Sequence, residues 1–394
     1  MKLRLFLMVT TLLIVAAVAL TRIDYSFNAL RLYMAVSKPL DVGEPSHPGS
    51  SGGVNFSATA VTDQLRMPWS FAFMPGGDIL ITERGGILQR LDPDAGTLTP
   101  VSGVPDVFYE GQGGLLDVAL HPDFPEPAWV YFTYSAPMGE DSSTTRLARA
   151  LLKDDALHQF EVLYTTEPVQ STKKHYGSRL LFTDGYLYMT MGERGQGAQA
   201  QQLDTDLGKV LRFRTDGSIP SDNPFANLPD ARPAIYTYGH RNPQGLARHP
   251  VTGDVWVTEH GPQGGDELNR LIPGANYGWP VITYGEEYGG GKIGEGTVKE
   301  GMEQPVYYYV PSIATGGLTF YWGTRFPAWN GDAFIGGLRA FHLNRLTFGP
   351  DGKVSEHRLL SDLNLRVRDV KEGPDDYLYV LSEQGSLIRL EPAD

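Results

Sequence analysis

Asp184-Gly-Tyr-Leu-Tyr-Met-Thr-Met-Gly192 is the stretch that decides the fold class. It opens with an Asp-Gly turn, continues with a short run of mainly large apolar residues in alternation, and closes on glycine. Alternation with a period of two is typical of a β-strand that has one buried face. The stretch therefore predicts a short, half-buried strand that begins at a tight turn.

Five further copies of this phrase are spread over the chain. No segment of useful length with a helical period competes with them. Together the six copies predict an all-β fold, a six-bladed β-propeller of four-stranded antiparallel blades. A two-sheet sandwich is the alternative, but it would not need six similar phrases. The other copies are Pro75-Gly-Gly-Asp-Ile-Leu-Ile-Thr-Glu83, His121-Pro-Asp-Phe124 with Trp129-Val-Tyr-Phe-Thr-Tyr134, Thr252-Gly-Asp-Val-Trp-Val-Thr-Glu259, Gly331-Asp-Ala-Phe-Ile-Gly336 and Pro374-Asp-Asp-Tyr-Leu-Tyr-Val-Leu381.

The composition excludes several classes of function. A formal net charge of −13 argues against nucleic acid as a partner, because binding to phosphates needs a basic face. The chain has no cysteine, so disulfides, zinc–thiolate sites, iron–sulfur clusters and thiol nucleophiles are excluded. The 46 glycines and 28 prolines show no collagen-like period and instead suit the many tight turns of a protein with short strands.

The amino terminus has the pattern of an export signal. Lys2 and Arg4 precede an apolar run over residues 5–20, and Ala17-Val18-Ala19 offers a small-residue cleavage site. An uncleaved membrane anchor is the alternative, with Lys2 and Arg4 on the cytoplasmic side. Either interpretation places the rest of the chain outside the cytoplasmic membrane, in the periplasm or beyond it.

Three regions follow from these patterns. Residues 1–20 are predicted to be the signal peptide or anchor. Residues 21–57 are predicted to be a linker, since they become rich in Ser, Gly and Pro towards their end. Residues 58–394 are predicted to form the propeller, which would be the catalytic domain. Any contact with a membrane would then run only through the uncleaved amino-terminal segment.

A histidine in a loop just before the Asp184 phrase is the first candidate for chemistry, because propellers carry function on the loops at one end of the central channel. His175 follows Lys173 and Lys174, whose positive charge favours the neutral imidazole. A neutral imidazole is the usual general base near pH 7. A surface histidine in a basic turn is an equally good interpretation of the residues alone.

Cations and amides are concentrated in other loops. The segment 238–246 places Arg241 among amide side chains in a loop constrained by Pro and Gly, a density that favours function over solvated surface. Arg366 and Arg368 share one face of a strand by alternation. With Arg339 elsewhere they could bind a cofactor that carries several negative charges, although a salt-bridged outer strand would explain the pair as well.

Two glycine-rich loops give weaker signals. In 109–115 the glycines around Gln112 allow the backbone to approach a flat ligand, but a plain turn is the better interpretation. In 259–269, Asp266 and Glu267 lie among glycines that free backbone carbonyls to turn inwards. Mixed carboxylate and carbonyl oxygens suit Ca²⁺, although two acidic residues in a turn are more often simply solvated.

Taken in order, these segments resemble the soluble pyrroloquinoline quinone (PQQ) dependent glucose and aldose sugar dehydrogenases, from about Met67 to Leu390. The Glu-His-Gly-Pro form is closer to the aldose sugar dehydrogenase branch. This family has a six-bladed propeller, in agreement with the count of phrases. The segments that carry the resemblance are Gly239-His-Arg-Asn-Pro-Gln-Gly245, Glu259-His-Gly-Pro-Gln-Gly-Gly-Asp-Glu267, Asn276-Tyr-Gly-Trp-Pro280 and Arg366-Val-Arg-Asp-Val370.

The resemblance implies a role for individual residues. His175 matches the general base that takes the proton of the sugar's anomeric hydroxyl, and Arg241 matches the residue beside the reacting quinone carbonyl. The family's glucose enzymes have Asp where this chain has Lys174, and Lys where it has Arg339. The implied contacts are Gln112, Arg241, Asn242, Arg339, Arg366 and Arg368 for PQQ, the Gly261 and Pro262 carbonyls for a cofactor-bound Ca²⁺, and Glu267 with the Tyr277 carbonyl for a second Ca²⁺.

The implied function is the oxidation of aldose sugars to lactones at the anomeric carbon, with hydride transfer to PQQ and transfer of electrons to an external acceptor such as a quinone or a cytochrome. Two alternatives come from other classes. One is a propeller without catalysis that binds a protein or a glycan, since fold never settles function. The other is a Ca²⁺-dependent lactonase that would use metal-activated water and no quinone.

Overall fold

The computed structural model describes residues 42–43 and 45–393. Six antiparallel sheets lie within this part of the chain, and their inner strands touch one another in a closed ring, which confirms the predicted six-bladed propeller. The strands are β1 (Pro45–Ser51), β2 (Val54–Thr62), β3 (Pro68–Phe73), β4 (Ile79–Glu83), β5 (Ile87–Asp92), β6 (Thr97–Val101), β7 (Leu115–Leu120), β8 (Trp129–Pro137), β9 (Ser143–Lys153), β10 (Ala156–Thr165), β11 (Leu180–Thr183), β12 (Tyr186–Met191), β13 (Lys209–Phe213), β14 (Ile235–Tyr238), β15 (Pro243–Arg248), β16 (Val255–Glu259), β17 (Asp266–Arg270), β18 (Tyr307–Tyr309), β19 (Thr315–Phe320), β20 (Ala333–Gly337), β21 (His342–Phe348), β22 (Val354–Leu359), β23 (Val367–Glu372), β24 (Leu378–Ser382) and β25 (Leu387–Pro392).

Five blades take four consecutive strands each, from β3–β6 to β19–β22, and the first strand of each blade lies nearest the axis. The sixth blade joins β23, β24 and β25 to β2 from the other end of the chain, so that the two ends close the ring. Short 3₁₀ turns occur at Gly197–Gln201, Pro327–Trp329 and Ser361–Leu363.

The amino-terminal boundary of the propeller differs from the prediction. Strand β1 pairs with β2 as a fifth strand of the sixth blade, and β2 pairs with β25. Residues 45–57 were expected to be the end of a linker, but they belong to this sheet. The composition did not indicate this, because the strand that holds them in place, β25, comes from the far end of the chain. Among the described residues no helix is long and apolar enough to cross a membrane. The predicted signal or anchor, residues 1–20, lies outside them.

Each of the six repeated phrases forms the second strand of its blade. The Asp184 phrase begins at a hairpin turn in which Asp184 and Gly185 both have positive φ, as two-residue turns between twisted strands require. The expected half-buried face is wrong for these strands: every residue of β4, β16, β20 and β24 is buried. Neighbouring blades cover both faces of each sheet, so the apolar clusters lie between blades.

A buried polar network crosses the axis and ties inner strands of different blades together. The Ser70 Oγ lies 2.5 Å from Asp117 Oδ1 and 3.0 Å from Asp369 Oδ2, and its hydroxyl can donate to either carboxylate. Arg179 Nη1 lies 2.9 Å from Asp369 and 3.5 Å from Asp117. All four side chains are buried. These ion pairs and hydrogen bonds satisfy charged and polar groups that would be costly to bury alone.

Candidate active site at one end of the propeller

The sequence-predicted residues converge at one end of the ring, on the loops that lead into the inner strands. Gln112, His175 and Arg241 precede β7, β11 and β15 respectively. The loop around Gln112 and the loop around His175 interlock, since Gln112 N–H donates to the Lys173 carbonyl at 2.8 Å and His175 N–H donates to Gln112 Oε1 at 2.7 Å. Residues far apart in sequence thus form one wall of the site.

His175 is fixed by its backbone and by its ring. Its φ of 58° lies in the left-handed region, which non-glycine residues seldom adopt and which clusters at functional sites. Its Nδ1 lies 2.7 Å from Glu193 Oε2. A carboxylate accepts a hydrogen bond, so Nδ1 carries the proton and Nε2 carries a lone pair. No described residue makes a hydrogen bond with Nε2.

The environment of His175 keeps its imidazole neutral. Burial lowers the pKa of His175 from its usual 6.5, Glu193 raises it, and Arg241 and Lys174 lower it. The direction agrees with the neutral imidazole expected from the sequence. The main cause is different, because burial of the ring outweighs the charge of the neighbouring lysines.

Arg241 and Asn242 form the next part of the wall. Arg241 Nη1 donates to the Gly261 carbonyl at 2.7 Å, and its guanidinium stands over the Trp279 ring at 5.2 Å. Asn242 Oδ1 accepts from Gly177 N–H at 3.1 Å. The Arg241 backbone carbonyl accepts from Glu193 N–H at 2.9 Å, which joins this loop to the partner of His175.

Some buried nitrogens at this end of the ring have no partner among the described residues: Arg241 Nε, Asn242 Nδ2, Trp279 Nε1 and Arg368 Nε. Leaving a buried donor unsatisfied is costly, and native proteins seldom do so without a reason. A ligand with several acceptor oxygens would satisfy them. The arrangement therefore points to a polar ligand between these side chains.

Arg366 and Arg368 lie across the ring, at the start of the innermost strand of the sixth blade. They share Glu383: Arg366 Nε pairs with one carboxylate oxygen, and Arg368 Nη2 lies 2.8 Å from the other. Burial raises the pKa of Glu383, but Arg368 and Arg366 together lower it to about 2. The alternative interpretation of Arg366 and Arg368 was a salt-bridged outer strand. It is wrong about where the strand lies, because β23 is the strand nearest the axis. Arg368 also donates to Gln244 at 2.7 Å.

Arg339 stands apart from this cluster. Its side chain is exposed and lines a groove between the fourth and fifth blades. Its chain neighbour Leu338 connects Arg339 to this cluster, since the Leu338 carbonyl accepts from Arg366 Nη1 at 3.1 Å. The structure brings together Gln112, His175, Arg241, Asn242, Gly261, Arg366 and Arg368, but it leaves Arg339 at the rim.

The expected metal ligands lie in one small cavity beside Arg241. Gly261, Glu267 and Tyr277 line it together with Glu259, whereas Pro262 lies next to Gly261 in the turn. Asn269 Nδ2 donates to Glu267 at 3.0 Å and to Glu259 at 3.3 Å, while its buried Oδ1 has no partner among the described residues. Burial, followed by the charge of Glu259, raises the pKa of Glu267 to about 8.

Glu193 and Glu383 are functional candidates that the sequence reasoning missed. Each is the partner of a predicted residue, His175 or the Arg366–Arg368 pair. A signal for them exists beside the repeated phrase, because in four blades a glutamate ends the second strand or follows it within two residues. These residues are Glu83, Glu193, Glu259 and Glu383, and all four are buried.

Comparison with known proteins identifies the family of the chain. Residues 65–389 match the family described as Glucose / Sorbosone dehydrogenase. The chain belongs to this family. The aldose sugar dehydrogenase YliI of Escherichia coli is 42% identical over 338 residues, which cover 84% of this chain and 91% of the relative.

Solved structures of family members have the same architecture. The apo form of the soluble aldose sugar dehydrogenase of Escherichia coli superposes with a TM-score of 0.83 at 41% identity, covering 86% of this chain and 100% of the other. The PQQ-bound aldose sugar dehydrogenase of Streptomyces coelicolor gives a TM-score of 0.71 at 27% identity, covering 87% and 99%. As a member of the glucose and sorbosone dehydrogenase family, the chain is an oxidoreductase that acts on sugars.

Proposed function

We propose that this protein oxidises aldoses at the anomeric carbon to lactones, with PQQ as cofactor and His175 as general base. The overall reaction removes two electrons and two protons from the C1–H and O–H bonds of the sugar. The observation that carries the proposal is the His175 ring, whose Nδ1 is held by Glu193 while Nε2 has no hydrogen-bond partner among the described residues.

The residues present fit PQQ. The cofactor is a planar quinone with three carboxylates, so its site needs N–H donors and cations. Arg241 Nε and Asn242 Nδ2 lie beside His175, and both are buried donors with no partner among the described residues. Arg368 Nε is a third such donor, on the opposite side of the site. We propose that these three residues hold PQQ together with Gln112 and Arg366, and that Arg339 reaches it from the rim. When bound, PQQ accepts the two electrons taken from the sugar.

His175 performs the proton transfer in this scheme. Its neutral imidazole accepts the proton of the anomeric hydroxyl at Nε2, a contribution typically on the order of 10²- to 10⁴-fold. Glu193 keeps the proton on Nδ1 and stabilises the imidazolium that forms. The hydrogen bond from His175 N–H to Gln112 and the strained φ hold the ring in place. Burial of His175 excludes water from the transferred proton.

Calcium fits one of the two expected sites better than the other. Glu267 and Tyr277 line the same small cavity, and among the described residues the Glu267 carboxylate accepts from Asn269 Nδ2, which leaves oxygen lone pairs for a divalent cation. Glu259 lies beside them, but His240 Nδ1 and the Arg241 N–H already hold its two oxygens. At Gly261 the carbonyl already accepts from Arg241, so a calcium ion held there by Gly261 and Pro262 would depend on oxygens of the cofactor. We propose that the cavity lined by Glu267 and Tyr277 is a structural Ca²⁺ site.

Two further parts of the proposal concern the cell. The electrons must leave the protein to an external acceptor, a quinone or a cytochrome. Export to the periplasm, with or without retention of the amino-terminal segment as an anchor, would place the protein beside respiratory acceptors. Fractionation of cells that produce the full-length chain, with mass analysis of its amino terminus, tests both the location and the cleavage.

The function is tested by loading the purified protein with PQQ and Ca²⁺ and measuring dye reduction with several aldoses. We expect sugar-dependent reduction that needs PQQ. Lactone hydrolysis by the protein without PQQ is the control for the lactonase alternative. Bound PQQ with no reduction by any aldose would refute the proposal, and His175→Ala at full rate would remove its assigned role.

A further inference from the structure

The groove between the fourth and fifth blades opens at the same end of the ring as the candidate active site. This interblade groove lies between β18 and the turn that joins β20 to β21. The turn is at the active-site end because Gly337, which precedes it, pairs with Thr315 at the start of an inner strand. The volume of the groove is about 800 Å³, within the range of about 300–1,000 Å³ that small-molecule sites occupy. Its lining includes Tyr307, Tyr309, Arg339, His342, Glu356 and Arg358.

One side of the interblade groove is aromatic. Tyr307 and Tyr309 meet edge to face, with ring centroids 4.9 Å apart. The Tyr309 hydroxyl donates to Asn344 at 2.8 Å, and the Tyr307 hydroxyl donates to Glu356 at 3.3 Å. Tyr309 is buried, but Tyr307 is only partly buried, so the Tyr307 ring is available to a flat ligand in the groove.

His342 supplies an acceptor that no described residue uses. Only 3% of its surface is exposed, and its Nδ1 lies 2.9 Å from the Ala340 carbonyl. A carbonyl accepts a hydrogen bond, so Nδ1 carries the proton and Nε2 carries a lone pair. Burial is the main cause that lowers the pKa of His342, which keeps the ring neutral. Nε2 is buried without a partner among the described residues, and a hydroxyl of a ligand in the groove would satisfy it.

Two guanidinium groups supply donors at the same groove. Arg358 Nε donates to Glu356 at 2.8 Å, whereas its terminal nitrogens make no hydrogen bond with a residue that the structure describes. The Arg339 guanidinium makes none within residues 42–43 and 45–393. Arg339 is also the residue proposed to reach the cofactor from the rim, and the carbonyl of its neighbour Leu338 accepts from Arg366. The groove therefore begins where the proposed cofactor site ends.

The amino-terminal strand enters the ring at this end as well. Pro45, at the start of β1, pairs with Thr59. Further along β2, Thr62 pairs with Leu387, which follows the turn of Glu383 at the active-site end. Strand β1 also contacts β22, a strand of the fifth blade that lines the groove. The predicted anchor, if it is retained, would therefore hold this end of the ring towards the membrane.

We propose that the interblade groove binds a quinone that accepts the electrons of sugar oxidation. This inference rests on the proposed function, which leaves the acceptor open between a quinone and a cytochrome. A quinone has a flat ring for Tyr307 and carbonyl oxygens for the guanidinium donors, and its reduced form has a hydroxyl that can donate to His342 Nε2. The two electrons and two protons removed from one aldose reduce both carbonyls of one quinone to hydroxyls, so that the products are lactone and quinol.

A saccharide is the competing ligand, since its hydroxyls would also donate to His342 and its ring would also pack on Tyr307. The position of the groove favours the quinone. An electron acceptor has to lie close to the cofactor, and the groove reaches the cofactor rim at Arg339. A saccharide held outside the active site has no need of that contact.

The test compares decylubiquinone with an artificial dye as acceptor for aldose oxidation by the PQQ-loaded protein. The variants are His342→Leu and Arg358→Gln. Arg214→Gln is the matched control, because Arg214 is an exposed arginine that follows β13 at the opposite end of the ring. Titration calorimetry with decylubiquinone, on the loaded protein without sugar, measures binding when no electrons are transferred. The same titration with maltose tests the competing ligand.

We expect both variants to bind decylubiquinone about three- to tenfold more weakly, because each loses one hydrogen bond to the ligand. The KM for decylubiquinone should rise by the same factor, while the KM and kcat of dye reduction stay unchanged. Arg214→Gln should match the wild type in every measurement. The affinity should not fall as salt is added, because the quinone carries no charge. Arg358 is exposed, so Arg358→Gln carries the test if His342→Leu does not fold.

Dye reduction by the wild type without any reduction of decylubiquinone would overturn the inference and leave the proposed function intact. Equal decylubiquinone affinity in the wild type and both variants would overturn it as well. Weaker binding of maltose, but not of decylubiquinone, in the variants would assign the groove to a saccharide. If no aldose reduced the dye, the proposed function would be refuted, whereas the calorimetry would still decide whether the groove binds a quinone.

Discussion

Two histidine–glutamate pairs lie at the same end of the propeller. They differ in whether the histidine Nε2 makes a hydrogen bond with a described residue. His175 Nδ1 lies 2.7 Å from Glu193, and His240 Nδ1 lies 2.8 Å from Glu259. The Nε2 of His240 is bonded to Thr237 Oγ1 at 2.9 Å, and the ring is fully buried and stacked on Tyr277. The Nε2 of His175 has no described partner.

On the proposed function, this difference separates a structural imidazole from a reactive one. A buried histidine with both ring nitrogens hydrogen-bonded links two parts of the fold, and its substitution removes both hydrogen bonds. A histidine with one nitrogen oriented by a carboxylate and the other open can accept a proton from a ligand. We propose that the same local pattern, a loop histidine beside a glutamate from the end of a second strand, has a structural role in one blade and a catalytic role in its neighbour.

The largest expected effect is that of His175→Ala on catalysis. Loss of the base should lower kcat for aldose oxidation on the order of 10²- to 10⁴-fold. The loss of unfolding free energy should be smaller than for a substitution of His240, because only the Nδ1 bond to the buried Glu193 is removed. Dye reduction and unfolding curves measured on the same preparation check this. A variant that unfolds much earlier but turns over normally would reverse the roles of the two histidines.

His240→Leu should show the opposite profile. It leaves Glu259 buried with fewer partners and removes two hydrogen bonds, so we expect a loss of about 2–4 kcal/mol in unfolding free energy. Folded protein kept at low temperature should retain sugar oxidation within about tenfold. Urea denaturation gives the first quantity. Full stability with a catalytic loss as large as that of His175→Ala would contradict the comparison.

Glu193→Gln should lower kcat/KM by a smaller factor, about 10- to 100-fold, since the amide no longer fixes the tautomer of His175. The variant also has a signature in pH. Glu193 raises the pKa of His175, and the base works when neutral, so removal of the carboxylate should move the acid limb of the kcat/KM profile to lower pH. An acid limb that stays in place would show that Glu193 does not act through His175.

The smallest expected effect concerns Glu267, next to the His240 pair. Its pKa is about 8 in the folded chain, against 4.5 for an ordinary glutamate. In the absence of metal, the protonated Glu267 stabilises the folded state fully below pH 4.5. This stabilisation is lost as the pH rises towards 8. Calcium at pH 8 should therefore raise the melting temperature by about 2–5 °C.

Glu267→Gln provides the control for this effect, because the amide does not titrate. Its melting temperature should change less between pH 5 and pH 8 and should respond less to calcium. Differential scanning calorimetry on both proteins, with EDTA and with calcium, measures the difference. An equal response to calcium in both would place the metal elsewhere.

Much of the fold was predictable because it rests on local pattern. Each phrase such as Pro75–Glu83 contains its own turn and strand, so six copies give six blades. The pairing of β2 with β25 could not be predicted in this way, because the strands are joined across the whole length of the chain. The Ser/Gly/Pro-rich composition of residues 45–57 suggested a linker where the closing sheet begins.

The same distinction applies to the candidate site, where some residues could be predicted from local sequence and others could not. His175 and Arg241 stand in loops whose composition is unusual on its own, so they could be selected from the sequence. Glu193 follows a strand as one of many acidic residues, and only the folded ring brings its carboxylate to His175. Arg339 was expected at the cofactor from the resemblance to the sugar dehydrogenases, and the fold places its side chain at the rim, from which we propose that it reaches the cofactor.

The most direct test of the central claim is a single turnover of the PQQ-loaded protein, followed by the absorbance of the bound quinone. We predict that an aldose pulse reduces it in the wild type, that deuterium at C1 of the sugar slows this step, and that His175→Ala slows it on the order of 10²-fold or more. Reduction at the wild-type rate in His175→Ala, with His240→Leu impaired instead, would contradict the account.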